Sequence, residues 1–174
     1  MEKKEKMIKI VKEWVPYIII IIVVLLVKRY LFTTILVHGA SMNDTLKEND
    51  VMILDKISYR LKPIQRFDIV VVNTDKTKLI KRVIGLPGEH VKYEDNKLYI
   101  NDKKVEDSYG KGTTYDFDLN YLEYETIPDN YYFVLGDNRE DSLDSRSIGL
   151  IPKKDIMGHA TFIIFPFQRF GTVE

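Results

Sequence analysis

Apolar and polar positions divide the chain into two parts with different rhythms. From Trp14 to Val27 the run WVPYIIIIIVVLLV passes fourteen residues without a charge, and after Lys28 and Arg29 the apolar character resumes as YLFTTILV through Val37. Fourteen helical residues cover about 21 Å, short of the ~30 Å hydrocarbon core of a bilayer. A span from about Lys12 to Phe32 reaches across if Lys12, Lys28 and Arg29 extend toward the headgroups, with Trp14, Tyr17 and Tyr30 as interfacial aromatics. Pro16 then falls in the first helical turn, where its missing N–H is harmless. A run of five isoleucines has no polar face, which argues against an amphipathic core helix. LFTTILVHGA also lacks the small-residue arrangement of a cleavable signal. The expectation is an uncleaved transmembrane anchor over residues 13–33. Lys3, Lys4, Lys6, Lys9 and Lys12 outnumber Lys28 and Arg29, so residues 1–12 are predicted to be a cytoplasmic tail and residues 34–174 an extracytoplasmic domain.

Beyond Val37 the pattern changes to short runs punctuated by Gly, Pro and Asn: VMILDKI (51–57), FDIVVVN (67–73), LIKRVIGL (79–86), HVKYEDNKLYINDKKV (90–105), NYYFVLGD (130–137) and ATFIIFPF (160–167). Runs of four to eight β-branched and aromatic residues predict a mainly β domain. KLYI-ND-KKV reads as a hairpin, since Asn and Asp tolerate positive φ between the two arms. Residues 107–125 are polar, contain Gly110 and Gly112, and are expected to form an exposed insertion. Phe162, Phe165 and Phe167 are read evenly as core or as lipid-interface residues.

Composition narrows the function. With 174 residues, 45% of them hydrophobic, the chain is long and apolar enough for one domain with a core. The charges, 26 Lys+Arg against 26 Asp+Glu, sum to zero, which speaks against a nucleic-acid partner. That zero is a cancellation: residues 1–37 hold 7 basic and 3 acidic side chains, leaving 19 basic and 23 acidic beyond them. The chain has no cysteine, which excludes disulfides, thiol nucleophiles and Cys-based metal sites. No H-E-x-x-H pattern is present, and no metal or other cofactor is expected.

Only six serines occur, so the search for a nucleophile is short. Ser41 follows the anchor on a Gly-Ala-Ser stretch whose small residues allow close backbone approach. Lys81 lies in Leu79-Ile80-Lys81-Arg82-Val83-Ile84, where strand alternation puts Leu79, Lys81 and Val83 on one face and Ile80, Arg82 and Ile84 on the other. A serine becomes a nucleophile when a base takes its proton, and a neutral lysine can do so. At pH 7 only about one unperturbed lysine in 10³ to 10⁴ is neutral. Desolvation among residues such as Leu79 and Val83 raises that fraction. His38, His90 and His159 stand in no triad motif and read as structural. Ser108-Tyr109-Gly110-Lys111 matches S-x-x-K, but it lies in the polar segment without the accompanying S-D-N or K-T-G.

Four ordered segments, SMNDTL (41–46), NDVMI (49–53), KRVIGLPGE (81–89) and GDNREDSLDSR (136–146), resemble the motifs of bacterial type I signal peptidases, with the single anchor and short length of Gram-positive forms. The resemblance implies a signal-peptidase-type β domain that cleaves signal peptides from exported preproteins at the outer face of the cytoplasmic membrane. It implies Ser41 as nucleophile, with its backbone N–H in the oxyanion hole, and Lys81 as general base. Ser142 is implied as a hydroxyl that orients the lysine, and Asp144 and Arg146 as a supporting ion pair. Gly39 occupies the position where some relatives carry a serine that adds a second oxyanion donor. Ile35, Val37, Met42 and Ile80 are expected to wall a substrate pocket for small residues at the first and third positions before the cut. Implied partners are preproteins, membrane lipid and nearby secretion machinery. Three positions depart from the pattern: Asp44 stands for Pro, Asn49 for Gly and Glu89 for Asp. Asp44 keeps open an alternative, a weak or inactive membrane-anchored paralogue that binds exported chains.

Overall fold

The computed structural model describes residues 2–74 and 77–173. One helix, α1 (Glu2–Tyr30), leads into a domain of twelve strands among the described residues. Residues Ile10–Tyr30 of α1 form a stretch of 21 residues long and apolar enough to cross a membrane, and none of it is buried against the domain. The helix begins well before the apolar run, because lysine and glutamate are themselves good helix formers. Pro16 therefore lies inside the helix and not in its first turn, leaving the Lys12 carbonyl without its usual partner. The expected anchor boundary at residue 33 also shifts. After Tyr30 only Leu31 intervenes before β1 (Phe32–Leu36), whose β-branched Thr33, Thr34 and Ile35 pair with β2 (Val51–Asp55).

The larger sheet runs in the order β1, β2, β11 (Ile156–Phe165), β3 (Ile69–Asn73), β4 (Lys78–Gly85), β9 (Tyr131–Leu135) and β10 (Ile151–Pro152), with β12 (Gly171–Thr172) also on β11. Its central strands are covered on both faces. Ile69 and Val71 of β3 pack with Ile35, Met42, Leu46 and Met52, whereas Val70 and Val72 pack with Val83 and Val134. A smaller sheet holds β7 (Lys103–Val105), β6 (Lys97–Ile100), β5 (Val91–Glu94) and β8 (Phe117–Asp118), around Tyr93, Leu98 and Phe133. The β6–β7 hairpin turns through Asn101 and Asp102, both at positive φ, as the Asn-Asp pair predicts. Asp95 and Asn96 turn β5 into β6 in the same way.

Residues 107–125 are exposed over most of their length, as expected, but they are tied into the domain and are not a detached insertion. Thr114, Phe117 and Leu119 are buried, and β8 completes the smaller sheet. Phe117 and Leu119, apolar residues two apart in the polar segment, were the sequence signal for this. Of the C-terminal aromatics, Phe165 and Phe167 are exposed and Phe162 is half-buried against Phe170.

Candidate active site

Ser41 sits in the turn between β1 and β2, and that turn is pinned by its own apolar residues. Met42 and Leu46 are plugs in the core, 2% and 0% exposed, so the half-buried Ser41 next to Met42 is held at the core's edge. Leu46 N–H donates to the Met42 carbonyl at 2.8 Å, and Asn43 N–H to Ala40 at 3.0 Å. Asn49 closes the loop at φ 69°, the left-handed conformation that asparagine shares with glycine. Asp50, buried, accepts from Lys47 N–H and pairs with Arg169 at 3.0 Å. Arg169 also donates to the Thr45 carbonyl, so the C-terminal segment braces the Ser41 turn.

Lys81 comes from β4, opposite Val70 of β3. Its side chain is 2% exposed and donates from Nζ to Ser41 Oγ at 2.6 Å. Burial lowers the ammonium pKa from 10.5 to about 8, against the pull of the Asp144 and Asp137 carboxylates and with some help from Arg146. The cause is the covering of both faces of β4, which strips water from the charged form. Leu79 and Val83 pack on one side of the strand and Ile80 on the other, in keeping with the alternation read from the sequence.

Arg82, next in the chain, is equally buried but differently partnered. Its guanidinium grips Asp137 with two bonds, Nε to Oδ1 at 2.8 Å and Nη2 to Oδ2 at 2.7 Å, and donates to the Phe67 carbonyl at 2.9 Å. Thr45 Oγ1 donates to Asp137 Oδ2 at 2.5 Å, tying the Ser41 turn to the same carboxylate. Asn138 N–H donates to the Ser41 carbonyl at 3.0 Å. Gly136 allows this close approach: a Cβ there would lie 2.5 Å from the Ser41 carbonyl oxygen and 2.2 Å from Ser142 Oγ.

Asp144 and Arg146 form the expected ion pair, Nε to Oδ1 at 2.9 Å and Nη2 to Oδ2 at 2.8 Å. Burial alone would raise the Asp144 carboxyl. The Arg146 guanidinium, the Ser142 hydroxyl and the Gly136 N–H outweigh it and hold the pKa below the ordinary carboxylate range. The contact expected from Ser142 to the lysine is not formed. Its hydroxyl lies buried against Gly136 and turns to the Asp144 carboxylate instead, favouring the ionised form. Gly39, at φ 85°, spends its N–H on the Glu48 carboxylate. Of the four expected pocket residues, Ile35, Val37 and Met42 are buried and Ile80 half-buried beside them. Asp44 is exposed. Glu89 receives Arg66 in a two-bond clasp and accepts from Leu86 N–H, so the extra methylene relative to Asp is accommodated. The histidines pair elsewhere: His38 with Glu48, His90 with Glu125 and Asp118, His159 with Tyr59 and Asp68.

Sequence reasoning missed the roles of Thr45, Asp137, Asn138 and Arg169, which meet the site only through contacts distant in sequence. A neutral Lys81 beside a hydroxyl at hydrogen-bond distance can accept its proton, the geometry of base-assisted nucleophilic attack.

Comparison with known proteins gives one consistent answer. Residues 11–165 match the family model described as signal peptidase, peptidase S26. The chain is 37% identical to signal peptidase I of Bacillus caldolyticus over 171 residues, 92% of this chain and 93% of that one. It is 41% identical to signal peptidase I V of Bacillus subtilis over 152 residues, 81% and 90% of the two chains. The crystal structure of a signal peptidase I from Enterococcus faecalis superposes with a TM-score of 0.53 at 39% identity, covering 57% of this chain and 98% of that one.

Proposed function

Because the chain belongs to the peptidase S26 signal peptidases, serine endopeptidases that cleave signal peptides, we propose that Ser41 and Lys81 are its catalytic dyad, working at the outer membrane face. The observation that carries this reading is the 2.6 Å contact between Ser41 Oγ and a lysine whose pKa burial lowers to about 8.

In this mechanism Ser41 Oγ attacks the scissile carbonyl and its proton passes to neutral Lys81. The resulting ammonium returns the proton to the leaving amine. Lys81 then deprotonates a water that attacks the acyl-enzyme and regenerates the serine. The Ser41 N–H stabilises the oxyanion, worth several kcal/mol when well placed. Gly39 offers no second donor, having no side chain and a committed N–H.

The substrate binds extended. Lys78–Lys81 pair with β3 on one edge, while β9 meets β4 only from Arg82 onward, so the other edge of those residues carries no strand among the described residues. An added strand there satisfies those backbone groups. The Ile35, Val37, Met42 and Ile80 cluster next to it has a buried floor, which suits short side chains at the first and third positions before the cut. The lysine excess on the N-terminal side of the apolar run supports a cytoplasmic N-terminus and an extracytoplasmic domain.

Ser41→Ala and Lys81→Ala are each expected to abolish cleavage of a preprotein in detergent while the melting temperature stays within a few degrees. Undiminished processing by either variant sinks the dyad. Binding of a preprotein without turnover by the unaltered protein would instead identify an inactive paralogue.

A further inference from the structure

Residues 107–114 reach both buried arginines of the site. Asp107, its side chain 6% exposed, pairs with Arg139 Nη2 at 2.6 Å and accepts from the Tyr93 hydroxyl of β5 at 2.7 Å. Arg139, 2% exposed, donates from Nη1 to Thr114 Oγ1 at 3.0 Å and to the Tyr93 hydroxyl at 3.1 Å, and from Nε to the Gly136 carbonyl at 3.0 Å. Gly110 lies so close that a Cβ would sit 2.6 Å from the Arg139 guanidinium carbon. Lys111 exchanges backbone hydrogen bonds with residues 137 and 139, at 2.7 and 3.1 Å. Tyr109 stacks against the Arg82 guanidinium at 3.7 Å and packs on Phe67.

The stretch 136–139 is therefore gripped on one side by 107–114, and on the other it holds the nucleophile. Asn138 bonds the Ser41 carbonyl, Asp137 bonds Thr45, and the Arg139 carbonyl accepts from Arg146, the partner of Asp144. Without residues 107–114, both the Arg139 side chain and the open face of the Arg82 guanidinium lose their cover. A displacement of about 1 Å at a reacting atom can lower a rate about 10²-fold.

We propose that residues 107–114 are a positioning clamp, in which Asp107, Tyr109 and Thr114 hold the 136–139 stretch so that Ser41 stays within reach of Lys81. Asp107 and its neighbours touch no reacting atom; they act through Arg139, Asp137 and Asn138. The proposal rests on the Ser41–Lys81 reading above.

The test uses the full chain in detergent with a preprotein substrate. Asp107→Asn is expected to lower kcat, per folded molecule, at least about tenfold with KM within about twofold, and Asp107→Glu to recover part of the loss. Hydrogen exchange at the Asn138 amide, which bonds Ser41, is expected to speed up at least about tenfold while the amides of β4 keep their protection. A role in stability alone predicts a lower melting temperature with unchanged kcat per folded molecule, and that result overturns the clamp, as does a loss confined to KM. If Asp107→Asn does not fold, Thr114→Val, which removes one hydrogen bond, carries the same criteria with an expected loss of about threefold. Full cleavage by Ser41→Ala would refute the dyad and leave the exchange at Asn138 as a separate reading of the clamp.

Discussion

Lys81 and Arg82 are adjacent cations on opposite faces of one strand, each at most 2% exposed, and they have opposite fates. Arg82 meets a carboxylate of its own, gripped with two bonds, and its charge is permanent. Lys81 meets a hydroxyl, and the carboxylate that acts on it most strongly, Asp144, is already committed to Arg146. Burial is thus common to both faces, and the allotment of counterions separates them. A structural cation is supplied with an anion of its own, whereas a proton acceptor has that anion neutralised by another group.

The largest effect should come from erasing the difference. Lys81→Arg puts a side chain that stays protonated where a neutral base is needed. Turnover is expected to fall at least about 10³-fold in the preprotein assay, and retention of a tenth of the activity would contradict a base role. On the other face, Asp137→Asn leaves Arg82 buried without its carboxylate. Breaking such a pair costs about 3–5 kcal/mol, which denaturant titration would read as a lower midpoint at constant slope.

Acidity sharpens the contrast. The folded-state pKa of Lys81, about 8, lies below its ordinary 10.5, so between those values the unfolded chain binds more protons and stability rises with pH. The full gain, for a shift of this size, is about 3 kcal/mol. Below pH 8 both states are protonated and this contribution is flat. Over the same range kcat/KM is expected to rise about tenfold per pH unit up to about 8 and then level off. A profile flat from pH 6 to 9 would remove the lysine from the rate equation. The smallest effect is expected at Asp44, which faces solvent: Asp44→Asn should change kcat/KM by less than about twofold.

The faces of β4 were legible in the sequence because alternation is a local property, and Leu79, Lys81 and Val83 stand two apart whatever the rest of the chain does. The hairpin turn at Asn101-Asp102 was legible for the same reason. What decides how Lys81 and Arg82 differ was not. Asp137 lies 55 residues from Arg82, and Asp107 reaches Arg139 from a stretch whose glycines and charges read as a surface loop. Gly110 is small to admit a guanidinium, and nothing in its immediate neighbours announces that. The anchor was located by its apolar run, but its ends were not, since charged helix formers extend it at one end and β-pairing cuts it short at the other. For Ser142 the family resemblance suggested the lysine as partner, and the side chain turns instead to Asp144, against Gly136.

One short connection has a consequence for how the protein searches. A single residue separates the membrane helix from β1, and Lys56 Nζ holds the carbonyls of Lys28 and Arg29 at 3.3 and 3.4 Å. Ser41 follows Tyr30 by eleven positions, a contour of at most about 40 Å, and part of that is folded into β1. In the proposed mechanism this puts Ser41 on a short leash, confined to a thin layer beside the bilayer. Its encounters with anything held in the same bilayer are collisions in two dimensions, and their frequency depends on surface density more than on concentration in the surrounding water.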